Sequence, residues 1–230
     1  MSKRPAQPDS TADEEFVPDV EPRGWGQSVV HHPLFGVHPR RTVAAVATIV
    51  GLAALNLASL YVSGAGPGER VQSLGPAFDS FTAFVIVVSL LVVAVGPLAY
   101  ACWNGGPALS FVFALVPWLV GETLAFRWVL DVDLAVSLTT GVAGAALALV
   151  VGEIRRTGSM RPWRARSPPT PVALFVGCAT VGSFALVGRF LASAPGGQTD
   201  AYLPFAVYWV VTLAVAGAYV ASWANRRRSR

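Results

Sequence analysis

Lysine is nearly absent from this chain: Lys3 is the only one, against sixteen arginines. A retinal-type Schiff base needs a buried lysine amine, so that chemistry is excluded. Histidine is almost as scarce. His31, His32 and His38 all precede the first long apolar run, which excludes bis-histidine haem ligation within the apolar segments. No Cys or well-spaced acid accompanies the three histidines, so neither a metal site nor any other cofactor is expected. The two cysteines, Cys102 and Cys178, form no CxxC pair and read as small apolar side chains. The Gly-rich stretch "SGAGPGER" (63–70) lacks the lysine of a phosphate-binding loop.

Charge is the next deficit. Only 13% of the residues are charged, while 53% are hydrophobic. A soluble domain carries roughly 25% charged residues, so this composition points to a membrane protein. The distribution agrees. Charge-free runs cover 42–68, 80–121, 134–152, 167–188 and 201–225, and a spanning helix needs about 20 apolar residues. The run 80–121 holds two spans, divided at "CWNGGP" (102–107), where Asn, Gly and Pro mark a turn. Six spans are therefore predicted, at 42–63, 79–101, 107–128, 133–153, 171–193 and 201–224. The fold class is all-α, a polytopic bundle of six transmembrane helices.

The arginines give the bundle an orientation. Arg40 and Arg41 precede span 1. Arg155, Arg156, Arg161, Arg164 and Arg166 lie between spans 4 and 5, and Arg226, Arg227, Arg228 and Arg230 follow span 6. With six spans, all of these fall on one side. The other side receives Arg70 and Arg127 with Glu69, Asp79, Asp131, Asp133 and Asp200. The positive-inside rule then places both termini in the cytoplasm of a cell-membrane protein. The excess positive charge is expected to meet anionic lipid headgroups in the bilayer rather than nucleic acid.

Three regions result: a polar, acidic tail over 1–39, the six-span domain over 40–225, and a basic C-terminus over 226–230. The tail's first 23 residues are too polar to fold alone, so they are expected to be disordered. Residues 24–39 are expected to lie in the headgroup region. A polar tail this long before the first apolar run argues against a cleavable signal peptide. Small residues at four-residue spacing (Ala54/Ala58, Gly141/Ala145, Gly144/Ala148, Ala214/Ala218 and Gly217/Ala221) predict close helix neighbours for spans 1, 4 and 6.

The arginine-for-lysine usage and the acidic tail resemble membrane proteins of extremely halophilic archaea, a likeness of composition that implies no activity. The stretch "GETLAFRW" (121–128) resembles the Glu-Glu-x-x-x-Arg signature of CPBP-type intramembrane proteases: Glu122 matches the first acid, Phe126 an apolar position and Arg127 the arginine. Thr123 stands where the family has its second glutamate, and no histidine lies on a later span. General acid–base work needs a partner within hydrogen-bond reach, so protease chemistry is not expected.

What remains is one polar layer. Counting along the helices puts Asn56, Glu122 and Arg189 about 20–26 Å from the cytoplasmic ends of spans 1, 3 and 5. Thr139, Thr140 and Tyr208 reach a similar level from the other side. An ionisable group within a span is by default a functional hypothesis. Glu122 is expected to pair with Arg189, the threonines and Asn56 satisfying leftover bonds. Two functions fit. One is a non-enzymatic accessory or assembly subunit, bound to other membrane subunits or to itself. The other is a small-solute transporter component with a pocket near the outer face. Six spans with both ends inside resemble the substrate-binding components of energy-coupling-factor vitamin transporters, as does Ala54/Ala58.

Overall fold

The structure is a computed structural model that describes residues 32–64, 75–125, 129–165 and 168–228. Among the described residues every regular element is helical. Six long helices follow the apolar runs: α1 (Pro39–Gly64), α2 (Gly75–Asn104), α3 (Pro107–Ala125), α4 (Val132–Thr157), α5 (Thr170–Ser193) and α6 (Tyr208–Arg228). A single turn, Pro162–Ala165, precedes α5. A short helix, Gly196–Tyr202, and a 3-10 turn, Leu203–Val207, lead into α6. Five stretches are long and apolar enough to cross a membrane; the apolar part of α3, Pro107–Thr123, is shorter.

Helix boundaries follow local chemistry. Asp131 caps α4, its carboxylate accepting from the Leu134 N–H at 2.9 Å, which satisfies a donor that the first turn leaves unpaired. Gly158 ends the same helix at φ +66°, its N–H returning to the Ile154 carbonyl at 2.8 Å. The last span differs from expectation. One continuous helix over 201–224 is predicted, but a 3-10 turn precedes Tyr208. Pro204 lies in that turn and has no N–H to continue an α-helical ladder.

α4 is the centre of the bundle. It packs against α2, α3, α5 and α6, while α1 rests on α2 and α3. Its small residues make this possible. A Cβ at Gly144 would stand 2.5 Å from the Pro97 Cβ, and one at Gly141 would stand 3.0 Å from the Phe111 ring. The close approach expected of span 4 is therefore present. In spans 1 and 6 the small residues are mostly not at the contacts those helices make: Ala54, Ala58, Ala214, Gly217 and Ala221 lie exposed and Ala218 is half-buried, and nothing comes within 4 Å of a Cβ added at Gly217. Four-residue spacing puts small side chains on one face, but it does not say whether a helix covers that face.

The bundle is apolar outside and more polar within. Val181 is 71% exposed, Phe184 65% and Val210 65%, whereas Ser110, Ser137, Thr139, Thr140 and Thr212 are buried. In water such an outer surface would far exceed the apolar patches soluble monomers carry. Against lipid tails it is the ordinary outer surface of a helical bundle, with small and polar residues at the helix contacts.

Hydrogen bonds show which helix ends share a side. Arg41 at the start of α1 and Arg155 at the end of α4 both donate to the Trp103 carbonyl at the end of α2. Arg226 at the end of α6 donates to the Trp163 carbonyl, in the turn before α5. The arginine-bearing ends thus gather at one end of the bundle. Residues 32–38 are built into it. Leu34 and Phe35 pack on core clusters, and the Ala108 N–H donates to the Leu34 carbonyl at 2.9 Å. His31 and the remainder of the acidic tail lie outside the described residues.

Candidate functional site

The residues expected to form one polar layer are consumed in separate local contacts. Asn56 donates to the Leu52 carbonyl of its own helix at 2.9 Å, and its side-chain oxygen accepts from Ser89 of α2 at 3.4 Å. The Thr140 hydroxyl returns to the Val136 carbonyl, a back-bond typical of threonine within a helix. Thr139 does likewise to Ala135 and also meets the Tyr202 hydroxyl at 3.0 Å, which in turn accepts from the Trp209 indole N–H at 2.8 Å. Tyr208 donates to the Ala94 carbonyl at 3.0 Å. These contacts join α1 to α2, α6 to α2, and α4 to α6. They do not converge on a common point.

Glu122 and Arg189, expected to pair, are not brought together. Glu122 is buried near the end of α3, where Oε2 accepts from the Val129 N–H at 3.3 Å. Arg189 is exposed on the outside of α5. The inward stripe of α5 is Val176, Ser183, Val187 and Phe190. At about 100° per residue, Arg189 lies roughly 100–160° round the helix from the residues of that stripe. Its depth was countable from the sequence; its direction was not. Near the end of α5 it has the placement of an arginine reaching the membrane interface. Arg127, Phe126 and Trp128 lie outside the described residues.

This arrangement has an energetic consequence. Breaking a buried ion pair typically costs about 3–5 kcal/mol, because the partner charge is stranded. With Arg189 exposed and not paired to Glu122, Arg189→Ala is expected to change stability by less than about 0.5 kcal/mol. Thermal unfolding of the detergent-solubilised variant checks this. A loss in the range of a buried pair would place Arg189 inside the bundle.

The most highly bonded polar groups lie at the opposite end, where sequence reading saw only a turn. Asn104, the last residue of α2, is fully buried. Its amide nitrogen donates to the Tyr100 hydroxyl at 2.8 Å and to Thr42 Oγ1 at 3.0 Å, while its side-chain oxygen accepts from the His38 N–H at 2.9 Å. Tyr100 and Thr42 both donate to the Phe35 carbonyl. Gly36, at φ +134°, sits so close to Asn104 that an added Cβ would lie 2.2 Å from Nδ2. This network fastens residues 35–38 to α1 and α2. A signal was present in "CWNGGP", since an Asn before two glycines and a proline can both end a helix and bond sideways.

Glu153 is the second missed group. It lies just past the charge-free run 134–152 and is buried, paired to Arg156 at 2.8 Å. This is the ion pair found among the described residues. Among those same residues no three His, Cys, Asp or Glu side chains are grouped to hold a metal ion; His38 is exposed, and His32 Nδ1 accepts from the Leu34 N–H at 3.3 Å. Comparison with protein-family models, with curated proteins and with solved structures found no match to this chain.

Proposed function

We propose that this chain is a non-enzymatic accessory or assembly subunit of a larger membrane complex, inserted as six spans with both termini in the cytoplasm. The observation that carries this reading is the use of the polar groups. Asn56, Thr139, Thr140 and Tyr208 each bond to helix backbone, and Glu122 accepts from the backbone N–H of Val129 beyond its helix. Polar groups engaged in this way join helix to helix, and what the bundle offers its surroundings is surfaces. Those surfaces are the outward apolar faces of α5 and α6 and an end rich in arginine. The positive-inside rule supports the orientation.

A carrier of small solutes is the second reading. The hydroxyls of Ser183 and Thr212 favour it, because both are buried without a hydrogen-bond partner. A buried unsatisfied hydroxyl is uncommon, and a bound polar solute is one way to supply the missing bond.

Purification from native membranes in mild detergent, followed by mass spectrometry, separates the two. The accessory reading expects a membrane protein that co-migrates at fixed stoichiometry through size exclusion. Recovery of the chain alone, with a small polar molecule retained, would replace that reading with the carrier.

A further inference from the structure

Two guanidinium groups converge at the arginine end without a carboxylate. Arg41 Nη1 donates to the Trp103 carbonyl at 2.5 Å, and Arg155 Nη1 donates to the same oxygen at 2.8 Å. Arg155 Nη2 also reaches the Cys102 carbonyl at 2.6 Å. The Arg41 guanidinium lies 5.7 Å from the centre of the Trp103 ring. Like charges this close repel. The two carbonyls end α2 and carry a helix C-terminal partial charge of only about half a unit, which leaves most of two positive charges uncompensated. Neighbouring Glu153 is committed to Arg156, and among the described residues no acid pairs with Arg41 or Arg155. Most N–H donors of the two forks remain available on an accessible face.

The surface beside them is apolar in a particular way. Trp103 is 46% exposed, and Ala99, Val95 and Leu91 follow it at four-residue steps along α2, all exposed. Each is the surface neighbour of the next, and together they form one ridge that slants round the helix by about 40° per step. A track long enough for an acyl chain therefore runs from the guanidinium pair towards the other end of the bundle. An indole at its head suits the membrane interface, where an aromatic ring lies beside the headgroups.

We propose that Arg41, Arg155 and Trp103 form a binding site for the phosphodiester headgroup of an anionic phospholipid, with one acyl chain laid along Trp103, Ala99, Val95 and Leu91. Guanidinium forks match phosphate oxygens in a way that a point charge does not. The apolar track distinguishes a lipid from a free anion, which would need only the head of the site. The inference rests on the bundle being embedded in a membrane and holds for either functional reading. Extraction of the chain by detergent but not by alkaline carbonate reads that premise separately.

The test uses the full chain, purified in detergent and stripped of lipid, then titrated by native mass spectrometry. Phosphatidylglycerol is expected to bind as one tightly held lipid per chain, at least about tenfold tighter than phosphatidylcholine with the same acyl chains, given the strength of charge-assisted bonds. Arg41→Gln/Arg155→Gln should bring the two lipids level, while Arg227→Gln/Arg228→Gln leaves the preference intact. Equal loss in both pairs of variants would mean a diffuse basic surface and overturn the site. Displacement of phosphatidylglycerol by millimolar inorganic phosphate would mean a free-anion site and overturn the lipid. Should the glutamine pair fail to fold, photocrosslinking of wild-type protein with a diazirine phosphatidylglycerol decides. Adducts are expected at 91–103 and around Arg41, and adducts confined to 161–165 or 226–228 would overturn the proposal.

Discussion

Gly144→Val is expected to lower the thermal midpoint of the detergent-solubilised protein by about 10 °C and to reduce sharply the yield of monodisperse protein. The cause is contact with backbone. A Cβ at this position would stand 2.5 Å from the Pro97 Cβ and 2.9 and 3.0 Å from its carbonyl carbon and oxygen. No flexible side chain is present to swing aside, so α2 and α4 must separate. Overpacking a core usually costs about 1–3 kcal/mol and on occasion more. A clash between two backbones at the centre of the bundle belongs at the upper end, about 3 kcal/mol. For a chain of this size that corresponds to roughly 6–12 °C. Separation would also loosen the contacts nearby, because α4 is the helix on which α2, α3, α5 and α6 all pack.

The control is a glycine in the same kind of apolar helix with nothing beside it. Gly217 on α6 has no atom within 4 Å of an added Cβ. Gly217→Val is expected to leave the midpoint within about 2 °C, since a helical glycine is itself unfavourable. Equal damage from both substitutions would contradict the central place of α4. Should Gly217→Val keep its stability yet lose a co-purifying membrane protein, the open face of α6 would be where that partner sits.

The contrast between those two glycines also marks how far the sequence was legible. Length and hydropathy place six helices, because a span must be long, apolar and free of charge whatever surrounds it. Clustered arginines predict which helix ends belong together, and Arg41, Arg155 and Arg226 bear this out by bonding across to Trp103 and Trp163. Position along a helix follows from counting residues. What could not be read was rotation about each helix axis and the lateral order of the helices. Gly144 and Gly217 sit in similar small-residue spacing, yet one meets Pro97 and the other meets no neighbour. Arg189 lies at a countable depth but points outward. The Asn104 network joins residues more than sixty positions apart, from loop, α1 and α2, and no local pattern encodes that meeting.

Asn104→Ala is expected to destabilise the protein by about 3 kcal/mol and to release residues 35–38 from the bundle end. The side chain removed is fully buried and serves the His38 N–H, Thr42 Oγ1 and the Tyr100 hydroxyl at once. Each buried polar group left without a partner costs about 1–3 kcal/mol. The His38 N–H loses its acceptor outright. Tyr100 and Thr42 keep their bonds to the Phe35 carbonyl and are stranded only in part, so the losses should not reach their full sum. Hydrogen exchange gives the local readout: the His38 amide should lose most of its protection, while amides in the middle of α4 should lose only what the global change requires. A double-mutant cycle with Tyr100→Phe tests whether the groups act together. Tyr100→Phe removes the hydroxyl that both accepts from Asn104 and donates to Phe35, so once Asn104→Ala is in place much of its effect should already be gone. The coupling is expected to reach about 1 kcal/mol or more, as for residues sharing one network. Strict additivity would mean that Asn104 and Tyr100 contribute separately. The segment before α1 would then be held chiefly by the packing of Leu34 and Phe35, and its anchoring would be hydrophobic rather than hydrogen-bonded.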